Sequence, residues 1–97
     1  MRFEILLAPE AIEDLRSLKR NLRAAVRDAI EGHLRHEPKK ESRSRIKRLS
    51  GLSRPHYRLR VGEVRIFYDV AGETVEVLAI VSRSEAQSWL AQFGKPE

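Results

Sequence analysis

The sequence predicts an α+β domain: a helical hairpin near the start, a small antiparallel meander in the second half, and a short helix at the end. Three observations point there. Apolar residues recur at helical spacing between positions 12 and 34. Three runs of period-two alternation follow from position 56 to 81, separated by Gly62-Glu63 and Gly72-Glu73. A tail of small and apolar residues then precedes Gly94 and Pro96.

In chain order, Arg2–Leu7 (RFEILL) places Phe3, Ile5 and Leu7 at period two and predicts a short strand. Pro9 suits the first turn of a helix, where its missing N–H is not needed. Glu10, Glu13 and Asp14 favour a helix N-terminus, and Ile12, Leu15 and Leu18 form its stripe. Asn21 is a candidate cap for a second helix. There Leu22, Ala25, Val26, Ala29, Ile30, His33 and Leu34 share a face, and Pro38 ends the helix. Ile46–Leu49 is a candidate edge strand. His56–Val61, Val64–Val70 and Val75–Val81 are the meander, since Gly followed by a polar residue suits a tight hairpin turn. Ser84–Phe93 is the terminal helix. The expected order is β-α-α-β-β-β-β-α, with the helices packed on the sheet.

The chain has 97 residues, enough for one small core, so a single domain over 1–97 is expected. No apolar run approaches the length of a membrane helix, and the acidic opening segment does not fit a signal peptide. A cytoplasmic protein with no membrane partner is expected. Without cysteine there is no disulfide, thiolate metal site or cysteine nucleophile. His33, His36 and His56 lack ligand spacing, so no metal and no other cofactor is expected. The net charge is +5, and the segment Lys39–Arg48 alone holds six cations against one acid. Such a stretch fits either a polyanionic partner or a solvated loop.

With a two-residue turn at Gly62-Glu63, Val61 pairs with Val64, Arg60 with Arg65, Leu59 with Ile66, Arg58 with Phe67 and Tyr57 with Tyr68. One face then collects Tyr57, Leu59, Val61, Val64, Ile66, Tyr68 and Val70. The same turn at Gly72-Glu73 adds Val75, Val77, Ala79 and Val81 to this core face. The other face carries His56, Arg58, Arg60, Arg65, Phe67, Asp69, Glu76, Leu78 and Ile80. Arg60 directly opposite Arg65 is destabilising in isolation. A phosphate site would explain it, because the guanidinium fork binds phosphate bidentately. Pairing with Asp69, Glu76 or the C-terminus would explain it as well. Phe67, Leu78 and Ile80 on a charged face are either covered by the tail helix or left for a partner.

The opening MRFEILLAPEAIEDLRSL, Leu49–Leu52 (LSGL), Tyr57–Val70 (YRLRVGEVRIFYDV) and VEVLAIVSRSEA resemble the RelE/ParE superfamily of bacterial toxin–antitoxin toxins. The likeness spans nearly the whole chain in element order, and RVGEVRIFYDV is its most specific segment. It implies a RelE-like α+β fold. It also implies a toxin held by a cognate antitoxin; the concentrated charge and the apolar residues on a polar face point to an acidic or amphipathic antitoxin segment contacting the basic surface and the patch at Phe67, Leu78 and Ile80. RelE-type relatives cut mRNA in the ribosomal A site without a metal: the ribose 2′-OH attacks the adjacent phosphate and leaves a 2′,3′-cyclic phosphate. ParE-type relatives instead poison DNA gyrase, and a degenerate member would bind antitoxin only.

By this likeness Arg60, Arg65 and Arg83 are the candidate catalytic residues. Arg58 and Trp89 are candidate RNA-binding residues on the same ground, and Lys39, Lys40, Arg43, Arg45, Lys47 and Arg48 are candidates from the charge of the basic stretch. Trp89 stands where many members have tyrosine; an indole can stack on a base but has no acidic hydroxyl. His56 and Glu85 are the candidate acid–base groups, each with an ordinary structural reading as a pre-strand histidine and a helix-starting glutamate.

Overall fold

The computed structural model describes residues 2–97; Met1, the first residue of the expected domain, lies outside them. Strand β1 (Glu4–Leu7) leads into helices α1 (Pro9–Ser17) and α2 (Arg20–Ala29), and α2 runs on into a π-helical turn at Ile30–Leu34. Strands β2 (Ile46–Arg48), β3 (Leu52–Arg54), β4 (Tyr57–Val61), β5 (Val64–Ala71) and β6 (Thr74–Ser82) follow. Helix α3 (Arg83–Phe93) and the two-residue strand β7 (Lys95–Pro96) complete the chain. Pro9 occupies the start of α1 as its fixed φ favours. Asn21 is not a cap: Lys19, extended at ψ 151°, precedes α2 and makes no side-chain capping bond.

Five strands form one sheet in the order β1-β6-β5-β4-β2, with β1 parallel to β6 and every other pair antiparallel. The hairpin β4–β5 has the expected register, from Tyr57 opposite Tyr68 to Val61 opposite Val64. Gly62 and Gly72 turn the two hairpins at φ 57° and 60°, a conformation costly for any residue with a Cβ. The second hairpin follows expectation only from Ala71–Thr74 to Tyr68–Val77. Phe67 then pairs with Ala79 and Ile66 with Ile80, leaving Leu78 as the extra residue of a β-bulge. A one-residue slip exchanges faces. Ile80, expected on the outer face, therefore enters the main core, while Ala79 and Val81 leave it.

Helices α1 and α2 cover the core face. Ala11 and Leu15 from α1, and Val26, Ile30 and Leu34 from α2 and its π turn, pack on Leu59, Ile66, Tyr68, Val75 and Val77. Of the expected stripe of α1, Leu15 and Leu18 pack on the core, but Ala11 takes the place expected for Ile12, which is 39% exposed. In α2, Ala25 is exposed. Helix α3 covers the opposite face, where Trp89 stacks on Phe67 with centroids 5.0 Å apart and planes at 5°. Phe67, Leu78 and Ile80 are all buried, so the apolar patch expected to meet an antitoxin is closed within the fold. The tail helix and the bulge together account for it. A second, two-stranded sheet pairs β3 with β7, which are too short to leave a pattern in the sequence.

Candidate functional site

The outer face of β4 and β5 carries a cluster of cations. Arg60 stands opposite Arg65, and Lys47 on β2 stands opposite Arg58. The Arg60 N–H donates to the Arg45 carbonyl at 2.9 Å, which brings the basic loop against this edge. Arg83 opens α3 beside the hairpin turn, its N–H donating to the Glu63 carbonyl at 2.7 Å. Its guanidinium lies 3.9 Å from the Glu63 carboxylate, both groups well exposed.

Like charges opposed across strands call for compensation. The acids that could supply it are engaged elsewhere: Arg54 lies 3.5 Å from both Asp69 and Glu76. Among the described residues Lys47, Arg58, Arg60 and Arg65 form no ion pair. Arg65 is only 7% exposed, and its Nη1 donates to the Gly62 and Val64 carbonyls at 2.8 and 3.1 Å. Those bonds fix its guanidinium on the turn. Burial, and then the neighbouring Arg60, Arg58 and Arg83, hold its pKa below the ordinary arginine value. Burial followed by Arg60 does the same to Arg58, whose Nε is buried without a partner. The charged form of both residues is thus disfavoured by the fold, and an anion on this face would relieve it.

The other expected site residues divide. The basic loop is not one patch. Arg48 pairs with Tyr57 on the helix-covered face, its guanidinium 5.4 Å over the Tyr57 ring and donating to the His56 carbonyl at 2.9 Å. Lys39 and Lys40 follow Pro38, whose carbonyl accepts the Tyr68 hydroxyl in that same core, and Lys40 pairs with Glu37 at 3.5 Å. Arg43 and Arg45 are exposed in the bend before β2. Only Lys47 is paired directly into the arginine face. Ile46 is buried while Lys47 and Arg48 are both exposed, so it is the pairing of β2 with β4 that places Lys47 on the arginine face and Arg48 on the other.

Trp89 does not present a free ring for a base. Phe67 covers one face, and Phe93 stands against it at 5.5 Å and 40°. His56 lies four residues before Arg60, about 13 Å along the strand. Its Nδ1 accepts the Val70 N–H at 3.0 Å, and its own N–H donates to Asp69. Glu85 accepts the Ser82 hydroxyl at 2.8 Å in the first turn of α3, where a carboxylate suits the positive end of the helix dipole. An apolar groove of about 490 Å³ opens at the β6 edge between α1 and α3, away from the arginines and bounded by Asp14, Arg54, Leu78, Trp89 and Phe93. Among the described residues no group of three His, Cys, Asp or Glu could hold a metal ion.

The chain matches the family described as "ParE toxin of type II toxin-antitoxin system, parDE" over residues 5–87. Among solved structures it is similar to the RelBE toxin–antitoxin complex of Mycobacterium tuberculosis. That match has 26% identity and a TM-score of 0.66, covering 86% of this chain and 100% of that one. The RelB–RelE complex of Methanococcus jannaschii matches at 24% identity and TM-score 0.65, covering 87% and 96%. That of Pyrococcus horikoshii OT3 matches at 22% and 0.65, covering 86% and 97%. The last two likenesses establish the fold. Among curated proteins none matches.

Proposed function

The chain belongs to the ParE toxin family of type II toxin–antitoxin systems, and we propose that it is a ribosome-dependent endoribonuclease cutting mRNA in the ribosomal A site. One observation carries this reading. Arg58, Arg60 and Arg65 share a sheet face, Arg83 approaches from the side, and the sheet arginines have no carboxylate partner among the described residues. In this reaction the ribose 2′-OH attacks the adjacent phosphate, the 5′-oxygen leaves, and negative charge builds on the phosphoryl oxygens. Arg60, Arg65 and Arg83 stabilise that charge, with Arg65 preorganised by its two bonds to the turn. Arginine stays protonated and takes no proton. His56 is too distant and Tyr68 lies in the core, so neither takes the 2′-OH proton; it passes to water, and water returns a proton to the leaving 5′-oxygen. Lys47, Arg58, Arg45 and Arg43 hold the RNA backbone, and Lys39, Lys40 and Arg48 make outer contacts. The partner that restrains the toxin is a cognate antitoxin, as in the antitoxin–toxin complexes it resembles.

A second reading is a non-enzymatic inhibitor of DNA gyrase. It is favoured by the placement of Tyr57 and Tyr68 on the helix-covered face and of His56 four residues before Arg60, all away from Arg60, Arg65 and Arg83. Expression without antitoxin, followed by mapping of RNA 5′ ends, separates the two. The nuclease reading expects new ends inside codons of translated messages. Growth arrest with intact messages would replace it with the gyrase reading.

A further inference from the structure

The twelve residues Arg16–Arg27 hold five cations and no carboxylate. On α2, Arg20, Arg23 and Arg27 follow at spacings of three and four, so they share one side of the helix. Lys19, Arg20 and Arg27 are exposed. Among the described residues only Arg16 of the five has an acidic partner, Glu13 at 3.2 Å. Glu31, one turn beyond Arg27, is taken by Arg35. Arg23 bonds the Leu18 carbonyl at 3.2 Å, and its Nε is buried without a partner. Helix stability does not explain the arrangement. Lys19, Arg20 and Arg23 stand at the positive end of the helix dipole, where cations are unfavourable, and the first turn carries no acid.

We propose that this side of α2 binds the phosphate backbone of a folded RNA, at a second site separate from the arginine face of the sheet. The inference rests on the ribosomal reading above and supplies its docking surface. Two points select RNA over an acidic protein segment. Protein interfaces are anchored by apolar and aromatic groups, and α2 exposes no large apolar side chain. Nucleic-acid interfaces are more polar and far more basic, and arginine forks suit them. Position supports a separate site. Helix α2 packs on the core face, whereas Arg60 and Arg65 point from the opposite face of a molecule at least 28 Å across. One strand lying on the sheet does not reach α2, so the two surfaces take different RNA segments.

The test is a Lys19→Gln, Arg20→Gln, Arg27→Gln variant, which spares the partly buried Arg23. Binding to vacant ribosomes is measured across salt concentrations, and cleavage in single turnover on saturating programmed ribosomes. Affinity is expected to fall about tenfold or more, and the slope of log affinity against log salt to shrink by about 2–3. Saturated cleavage and co-purification with antitoxin stay at wild-type levels. An Arg20→Lys, Arg27→Lys variant keeps the slope, because the charge is retained. Unchanged affinity and slope in the glutamine variant would overturn the proposal. So would loss of antitoxin binding with ribosome affinity intact, which would make α2 a protein contact. A wild-type protein without ribosome affinity would remove the ribosomal reading and this inference together; retained affinity in the variant would remove only the inference.

Discussion

Tyr68 shows how one side chain ties the sheet to the loop that carries the basic stretch. Its hydroxyl donates to the Pro38 carbonyl at 2.6 Å, and its ring stacks on Tyr57 at 5.6 Å. Burial first, and Tyr57 second, push its pKa above the ordinary phenol value of 10.0. The unfolded chain releases that proton near pH 10 while the folded chain keeps it. This contribution to stability is therefore complete below about pH 10 and is lost as the pH rises beyond it. Tyr68→Phe is expected to lower stability at pH 7 by about 1–2 kcal/mol, the cost of leaving the Pro38 carbonyl unpaired. It should also lessen the alkaline decline. Urea unfolding at neutral pH and above pH 10 measures both effects; a variant as stable as wild type at pH 7 would contradict the role of this bond. Arg65 shows the complementary case, a buried cation whose bonds run to backbone carbonyls and whose nearest charges are other arginines.

At the scale of elements, the β4–β5 hairpin was legible because its turn residues and alternation agree on one register, and Arg60–Arg65 followed from it. The β5–β6 pairing was legible only as far as Tyr68–Val77, because a bulge at Leu78 leaves no mark in a strand that is apolar on both faces. Both faces are apolar since α3 buries Phe67, so the same fact hid the slip and created the false patch. The place of β1 was not legible either, as a parallel edge strand is joined to β6 only through the whole intervening chain. Its short length leaves the Ile80 N–H without a strand partner, and the Asp14 carboxylate on α1 accepts it at 2.9 Å. The arginine cluster was readable from parity, whereas the division of the basic loop required the pairing of β2. Helix α3 docks on the sheet through the Trp89 stack on Phe67. Trp89→Ala is expected to cost about 2–3 kcal/mol, less than full burial would give because the indole is half-buried. Trp89→Phe should retain most of the stability. Denaturant midpoints of the two variants check this, and an alanine variant as stable as wild type would show that α3 is held by other contacts.

Across the whole molecule, the sheet separates two basic surfaces. Helices α1 and α2 cover one face and carry the stripe at Lys19–Arg27; β2, the Gly62 turn and the start of α3 frame the arginines on the other. Membership of the ParE toxin family fixes the setting as toxin and antitoxin. The arginine face gives the toxin its proposed chemistry, in which Arg65 and Arg83 act on the transition state and the loop cations act on binding. Lysine at position 65 should rescue poorly, because it keeps the charge without the fork. The most direct measurement is single-turnover mRNA cleavage on programmed ribosomes by the Arg65→Ala, Arg83→Ala double variant, with ribosome binding followed in parallel. Cleavage slower by about 10²- to 10³-fold or more, with binding retained, is the expected result. Cleavage at the wild-type rate would contradict the arginine clamp.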